Sequence, residues 1–255
     1  MIRNNNDHYS EGNMNNIVED AMQAGAGFRG DAIPASESLA TFTGKTFLWM
    51  FAGLLVTFIT AFYFAASGAV NVLFASNATV WLLPIAEIAV VFILSFSINK
   101  ISPAVAAGLF MLYSVLTGLT FSELFILFNV GTVIFVFAIS AIYFGIMAAI
   151  SLIFKVRLGG FGNFLLGALI MLLAMQLISL FVPGLNKLVC LAGIAIFSGC
   201  TAYDTSKIKD YYYSCSSNSA ILKKASIISA LNLYLDFINI FIYLLRLTGN
   251  SSSNN

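Results

Sequence analysis

From residue 46 onward, long apolar runs alternate with short polar breaks. The runs cover 46–66, 79–98, 103–127, 130–154, 164–182, 188–205 and 227–247. Each is close to the roughly 17 to 25 residues a helix needs to cross a bilayer core of about 30 Å. Within each run the apolar residues are continuous and lack a period of two, so the pattern predicts helices and excludes the strands of a membrane barrel. The expected fold is all-α, with seven transmembrane helices filling residues 46–249. Residues 1–45 hold no apolar run and are rich in Asn, Gly, Ser and acids. They read as a disordered polar tail rather than a signal peptide, and residues 250–255 as a short polar C-terminal tail. The polar stretch 210–226 between the last two spans reads as a mobile loop. No internal repeat is found, which argues against an inverted-repeat transporter.

Composition narrows the chemistry. With 60% hydrophobic and 9% charged residues, the chain has more apolar surface than a water-soluble domain could hide. The net charge of +1 comes from scattered basic residues, so no nucleic-acid partner is expected. The only histidine, His8, lies in the polar tail. This excludes a Ser-His-Asp triad, a Cys-His dyad and a multi-histidine metal centre. Cys190, Cys200 and Cys215 show no metal-ligand spacing and read as small hydrophobes. No cofactor is expected.

The basic residues also set an orientation, because Lys and Arg are retained on the cytoplasmic side. Arg3, Arg29, Lys45, Lys100, Lys155, Arg157, Lys207, Lys209, Lys223 and Lys224 fall on the N-terminal side of seven crossings, against Lys187 and Arg246 on the other. The N-terminus is therefore expected in the cytoplasm. The C-terminus lies outside only if the last helix crosses completely.

Acids within the spans are the candidate functional groups, since a charge near the bilayer centre costs about 2.5 to 3.5 kcal/mol and usually faces an ion or proton path. Asp236 lies roughly 15 Å into the last span, near the midplane. Ser229, Asn232, Asp236, Asn239, Tyr243 and Arg246 follow one another at spacings of 3, 4, 3, 4 and 3, which puts them on one face of a helix. Ser and Asn in such a stripe also serve as interhelical glue. An aspartate is a costly choice for that task, because an amide would do it without a charge. Asp204 sits at the cytoplasmic end of the sixth span, where Lys207 one turn further on offers a surface partner. If the last two spans pack together, Asp204 and Asp236 could share a proton and respond to pH. Glu87, one turn after Pro84 in the second span, is a third intramembrane acid. Glu123 is expected at an interface, and Arg246 is expected to snorkel to headgroups.

Three segments together resemble the Bax inhibitor-1 family of membrane proteins: Leu112-Tyr-Ser-Val-Leu-Thr-Gly-Leu-Thr-Phe-Ser, Thr201-Ala-Tyr-Asp-Thr-Ser-Lys-Ile-Lys and Leu233-Tyr-Leu-Asp-Phe-Ile-Asn-Ile-Phe-Ile-Tyr-Leu-Leu-Arg. The resemblance covers the chain from Lys45 to Gly249. It implies a bundle with the seventh helix central and six packed around it, and a passive, pH-sensitive calcium leak with Asp204 and Asp236 as the sensing pair. Eukaryotic relatives are associated with suppression of cell death and with endoplasmic-reticulum calcium, and a bacterial member is expected in the plasma membrane. Some members carry an arginine in the second helix that latches onto the sensor aspartate of the sixth. Here Ile98 holds that position, and Lys100 could supply only a weaker latch because an ammonium lacks the guanidinium fork.

Three functions follow as expectations. The first is a calcium leak, gated by protonation of Asp204 and Asp236, with the two carboxylates transiently holding the passing ion and protons and calcium as the small partners. The second is a non-catalytic regulator that binds and restrains a membrane protease or a cell-death factor. The third is an intramembrane aspartyl protease using the same two acids. Against the protease, Leu-Tyr-Leu precedes Asp236 instead of Gly-x-Gly, and no Pro-Ala-Leu follows.

Overall fold

The structure, a computed structural model, describes residues 37–97, 100–154, 161–179, 181–215 and 218–249. It is all-helical, with seven helices long and apolar enough to cross a membrane. They are α1 (Leu39–Ala66), α2 (Asn77–Ser97), α3 (Pro103–Phe121), α4 (Val130–Phe154), α5 (Gly162–Ser179), α6 (Asn186–Cys215) and α7 (Ser219–Gly249). Short helical turns at Ala69–Leu73, Leu124–Leu127 and Pro183–Leu185 join some of them.

The helix starts follow local chemistry. Ser38 accepts the Thr41 N–H at 3.2 Å and starts α1. Ser102 accepts from Val105 N–H, with Pro103 in the first turn of α3, where its missing N–H costs nothing. Asn218 Oδ1 accepts from Ala220 and Ile221 N–H at 2.9 and 3.2 Å and opens α7. Gly68, at φ 72°, makes the left-handed turn that ends the run from α1.

Three boundaries differ from the pattern-based expectation. α1 begins at Leu39 rather than 46, so residues 39–45 belong to the helical body and not to the tail. Residues 1–36, 250–255 and Ile98 lie outside the described residues. The stretch 210–226 is not a loop: α6 continues to Cys215 and α7 starts at Ser219. Polar residues there misled the hydropathy reading, because a helix leaving the hydrocarbon keeps its backbone bonds while its side chains turn polar.

α7 is the most buried helix. In its most apolar window 61% of residues are buried, against 44% for α6 and at most 33% for the others. It packs most extensively on α6 and also against α1, α3 and α4, while α2 packs on α3 and α5 on α6. The outward faces of the bundle are apolar, with Phe51, Trp81, Phe96, Ile142 and Leu166 exposed, as lipid contact requires. The helices are keyed by small residues and hydroxyls. A Cβ at Gly118 would lie 2.6 Å from Thr60 Cβ and 2.8 Å from the Thr57 carbonyl, so α1 and α3 approach only because it is absent. The Tyr243 ring of α7 covers Gly193 of α6 in the same way. Between α4 and α6, Tyr143 and Ser198 share a 2.7 Å bond, and Ser151 donates to the Ala202 carbonyl at 2.6 Å.

Candidate functional site

Two polar clusters occupy this apolar interior, on different sides of α7. The first lies in the seam with α6. Asp236 is 4% exposed, and its Oδ2 is buried without a hydrogen-bond partner. Asp204 on α6 lies within electrostatic reach of it, and Thr201 approaches the Asp236 carboxyl. Ser229 and Thr205, on facing helices, each bury a hydroxyl oxygen that also lacks a partner. A seam with several orphaned buried oxygens is chemically suited to hold water or an ion, since unsatisfied polar groups in a low dielectric are expensive.

The extension of α6 matters here. Asp204 is not at a helix end but about 16 Å inside the last residue of α6, at 1.5 Å per residue. Counted back from Cys215 and forward from Ser219 at 1.5 Å per residue, the two aspartates of this antiparallel pair are staggered by roughly 9 Å along the axes. Side chains lean toward the N-terminus of their own helix, and in this hairpin that tilts Asp204 and Asp236 toward each other. Lys207 does not neutralise Asp204 in an ion pair. Its Nζ stands 4.4 Å from the centroid of the Tyr203 ring instead.

The remaining stripe residues divide between roles. Asn239 donates from Nδ2 to the Leu235 carbonyl at 2.8 Å, one turn back on its own helix. Asn232 is half-buried. Tyr243 is buried against Phe197, with ring centroids 6.1 Å apart. Arg246 does not simply extend outward: it donates to Gln176 Oε1 of α5 at 2.9 Å and stands over the Tyr243 ring. Lys100 is exposed in the turn before α3 and makes no ion pair with either aspartate, so this conformation has no latch through it.

Glu87 is not brought to the aspartates. It belongs to the second cluster, among α1, α2, α3 and α7, where Thr120 donates to its Oε1 at 2.5 Å. Tyr234 of α7, fully buried, shares a 2.6 Å bond with Thr57, whose hydroxyl donates on to the Ser114 carbonyl at 2.9 Å. Tyr113 packs edge-on to Tyr234 at 5.7 Å, and the buried Thr117 hydroxyl lies close to Tyr234, Tyr113 and Glu87. Sequence reasoning overlooked Tyr234, Tyr113, Thr57 and Thr117. The available signal was their place beside the acids in the motif segments: Tyr234 precedes Asp236 by two, and Tyr113 and Thr117 stand in the Leu112–Ser122 run. Glu123, expected at an interface, is exposed in the break after α3.

Among the described residues, no three or more His, Cys, Asp or Glu side chains gather as a metal-binding group. A calcium ion at the Asp204–Asp236 seam would therefore draw on two carboxylates and complete its shell of six to eight oxygens from hydroxyls and water.

Comparison with known proteins agrees with the motif segments. Residues 39–253 match the family described as "Inhibitor of apoptosis-promoting Bax1". The inner membrane protein YbhL of Escherichia coli K12 is 40% identical over 231 residues, covering 86% of this chain and 99% of YbhL. A Deinococcus radiodurans protein is 39% identical over 217 residues, covering 84% of this chain and 92% of its own. A Borreliella burgdorferi protein is 33% identical over 211 residues, at 82% and 91% coverage.

Proposed function

The chain belongs to the Bax inhibitor-1 family, and on that premise we propose that this integral membrane protein is a pH-sensitive passive leak for calcium, gated by protonation of Asp204 and Asp236. The observation that carries the reading is the Asp236 carboxylate itself. It is buried in the most buried membrane helix, has an oxygen with no protein partner, and faces a second carboxylate on the helix it packs against most. A structural aspartate would be tied down by donors. One left with an orphaned oxygen beside another acid is poised to exchange a proton or a hard cation, because each added charge in that medium changes the α6–α7 contact strongly.

The gating sign follows from the protonation step. When both carboxylates are charged, a cation or water between them offsets their repulsion and holds α6 against α7, and the leak is closed. As the pH falls through the titration of the pair, a proton replaces a charge and the open arrangement gains population. Glu87, in its separate cluster, lies beside the same central helix and extends the polar path past α7. The supporting stripe, Ser229, Asn232, Asn239 and Tyr243, supplies neutral oxygens and amides along one side of it. Calcium is cargo here, not a resident cofactor. By likeness to YbhL, the membrane is the bacterial inner membrane.

The test is calcium flux into proteoliposomes of purified protein between about pH 5 and pH 8. Wild type is expected to leak faster toward the acid end. The double substitution Asp204→Asn and Asp236→Asn is expected to flatten that profile by at least tenfold in its pH-dependent part. Flux that keeps its amount and pH profile in the double variant would remove the pair from the mechanism and favour the regulator that binds another membrane protein.

A further inference from the structure

At the end of the bundle where α4 and α6 begin and α7 finishes, a cavity of about 420 Å³ opens between the helix ends. Its polar lining comes from Asn129, Thr132, Asn186, Thr248 and Arg246, with Leu127 and Phe128 forming an apolar side. We infer that this cavity binds a phosphate group, carried either by a phospholipid headgroup or by a small free anion. The inference does not depend on the calcium-leak reading.

The charge balance is the first argument. A guanidinium presents five N–H donors, and the structure gives that of Arg246 one hydrogen bond, to Gln176 Oε1. Among the described residues no acidic side chain lines the cavity, and Glu123 stands exposed outside its lining. An arginine at the wall of a cavity, with most of its donors unused and no carboxylate to meet them, is matched to a planar or tetrahedral oxyanion.

The backbone adds to the same sign. α4 and α6 both start at this cavity, so two helix N-termini with their first-turn N–H groups lie at one end. Asn129 Oδ1 already takes the Gly131 N–H at 2.8 Å, and Lys187 follows Asn186 as an exposed ammonium on the first turn of α6. The opposing contribution is the C-terminus of α7. Thr248 partly covers it by donating to the Leu245 carbonyl at 2.7 Å. The Thr132 hydroxyl and the amide N–H groups of Asn129 and Asn186 then supply neutral contacts for phosphate oxygens. Leu127, exposed beside them, offers an acyl chain an apolar exit toward the bilayer, which a free anion would not use.

The experiment measures thermal unfolding of the purified full chain in neutral detergent. One arm adds inorganic phosphate against chloride at equal ionic strength. The other adds dihexanoylphosphatidylglycerol against dihexanoylglycerol, which lacks the phosphate. At least one phosphate-bearing probe should raise the wild-type Tm by about 3 °C when present at tenfold its Kd. A rise with both probes assigns the site to the anion alone, and a rise with the lipid only assigns it to a headgroup. Arg246→Gln should lose the response, while Arg246→Lys keeps a reduced one. If Arg246→Gln does not fold, Thr132→Glu decides: its carboxylate occupies the guanidinium, so the response should disappear while the fold persists. A wild type indifferent to both probes overturns the assignment, as does Arg246→Gln or Thr132→Glu responding like wild type.

Discussion

Tyr234 and Asp236 stand two positions apart on one helix, so their side chains leave it on nearly opposite sides. This spacing divides the polar interior. Asp236 lies close to Thr201 and within electrostatic reach of Asp204, while Tyr234 bonds Thr57 and stands near Glu87. The Tyr234 hydroxyl must be the donor in its pair, because the single hydroxyl proton of Thr57 goes to the Ser114 carbonyl. The two ends of this bond therefore differ in what their removal leaves behind. Tyr234→Phe leaves Thr57 still bonded and is expected to cost about 1 kcal/mol. Thr57→Val leaves the buried tyrosine hydroxyl without this acceptor while the Ser114 carbonyl keeps its bond within α3, and is expected to cost about 2 kcal/mol. Equilibrium unfolding in mixed micelles checks the order, and the reverse order would contradict the donor assignment.

At the scale of elements, the seven apolar runs were readable from hydropathy, because the bilayer imposes a length and a composition that need no tertiary information. The stripe from Ser229 to Arg246 was equally readable as a periodicity. Pairing was harder to read. Placing Asp204 at a helix end came from ending the sixth span where hydropathy fell, at residue 205, whereas α6 runs on to Cys215. The cluster around Glu87 was not legible because it draws single residues from four helices, and no local pattern announces Thr57 or Thr117 as partners of Tyr234. Gly118 belongs to the same class: in the sequence it is one of 19 glycines, and only the approach of α1 gives it meaning. Gly118→Ala should destabilise by about 1 to 3 kcal/mol, since the atoms it meets are the Thr57 backbone carbonyl and the branched Thr60 Cβ, neither of which yields easily. Gly108→Ala on the same helix meets open space and should be neutral or slightly stabilising. Comparing the two variants by thermal unfolding separates close helix packing from helix propensity.

For the whole molecule, the continuity of α7 bears on how many times the chain crosses the membrane. Its 31 residues form one unbroken helix of about 46 Å, long enough to cross the hydrocarbon core completely. Seven such crossings would leave the start of α1 and the end of α7 on opposite sides, and the excess of lysine and arginine on the α1 side is expected to keep that side in the cytoplasm. Reporter fusions give the check. Alkaline phosphatase joined after Thr248 should be active, and the same enzyme joined after residue 100 should be silent. The opposite result at both sites would invert the assignment.

The same length has a mechanical meaning for α6 and α7. Each is longer than a hydrocarbon core of about 30 Å, and α6 ends at Cys215 where α7 starts at Ser219, so the pair of helices carrying the two aspartates makes one long lever. The aspartates lie near its fulcrum and the tip some 16 to 25 Å away. A swivel of about 5° between the helices at the buried charges thus becomes a sideways sweep of roughly 2 Å at Tyr213 and Ser219.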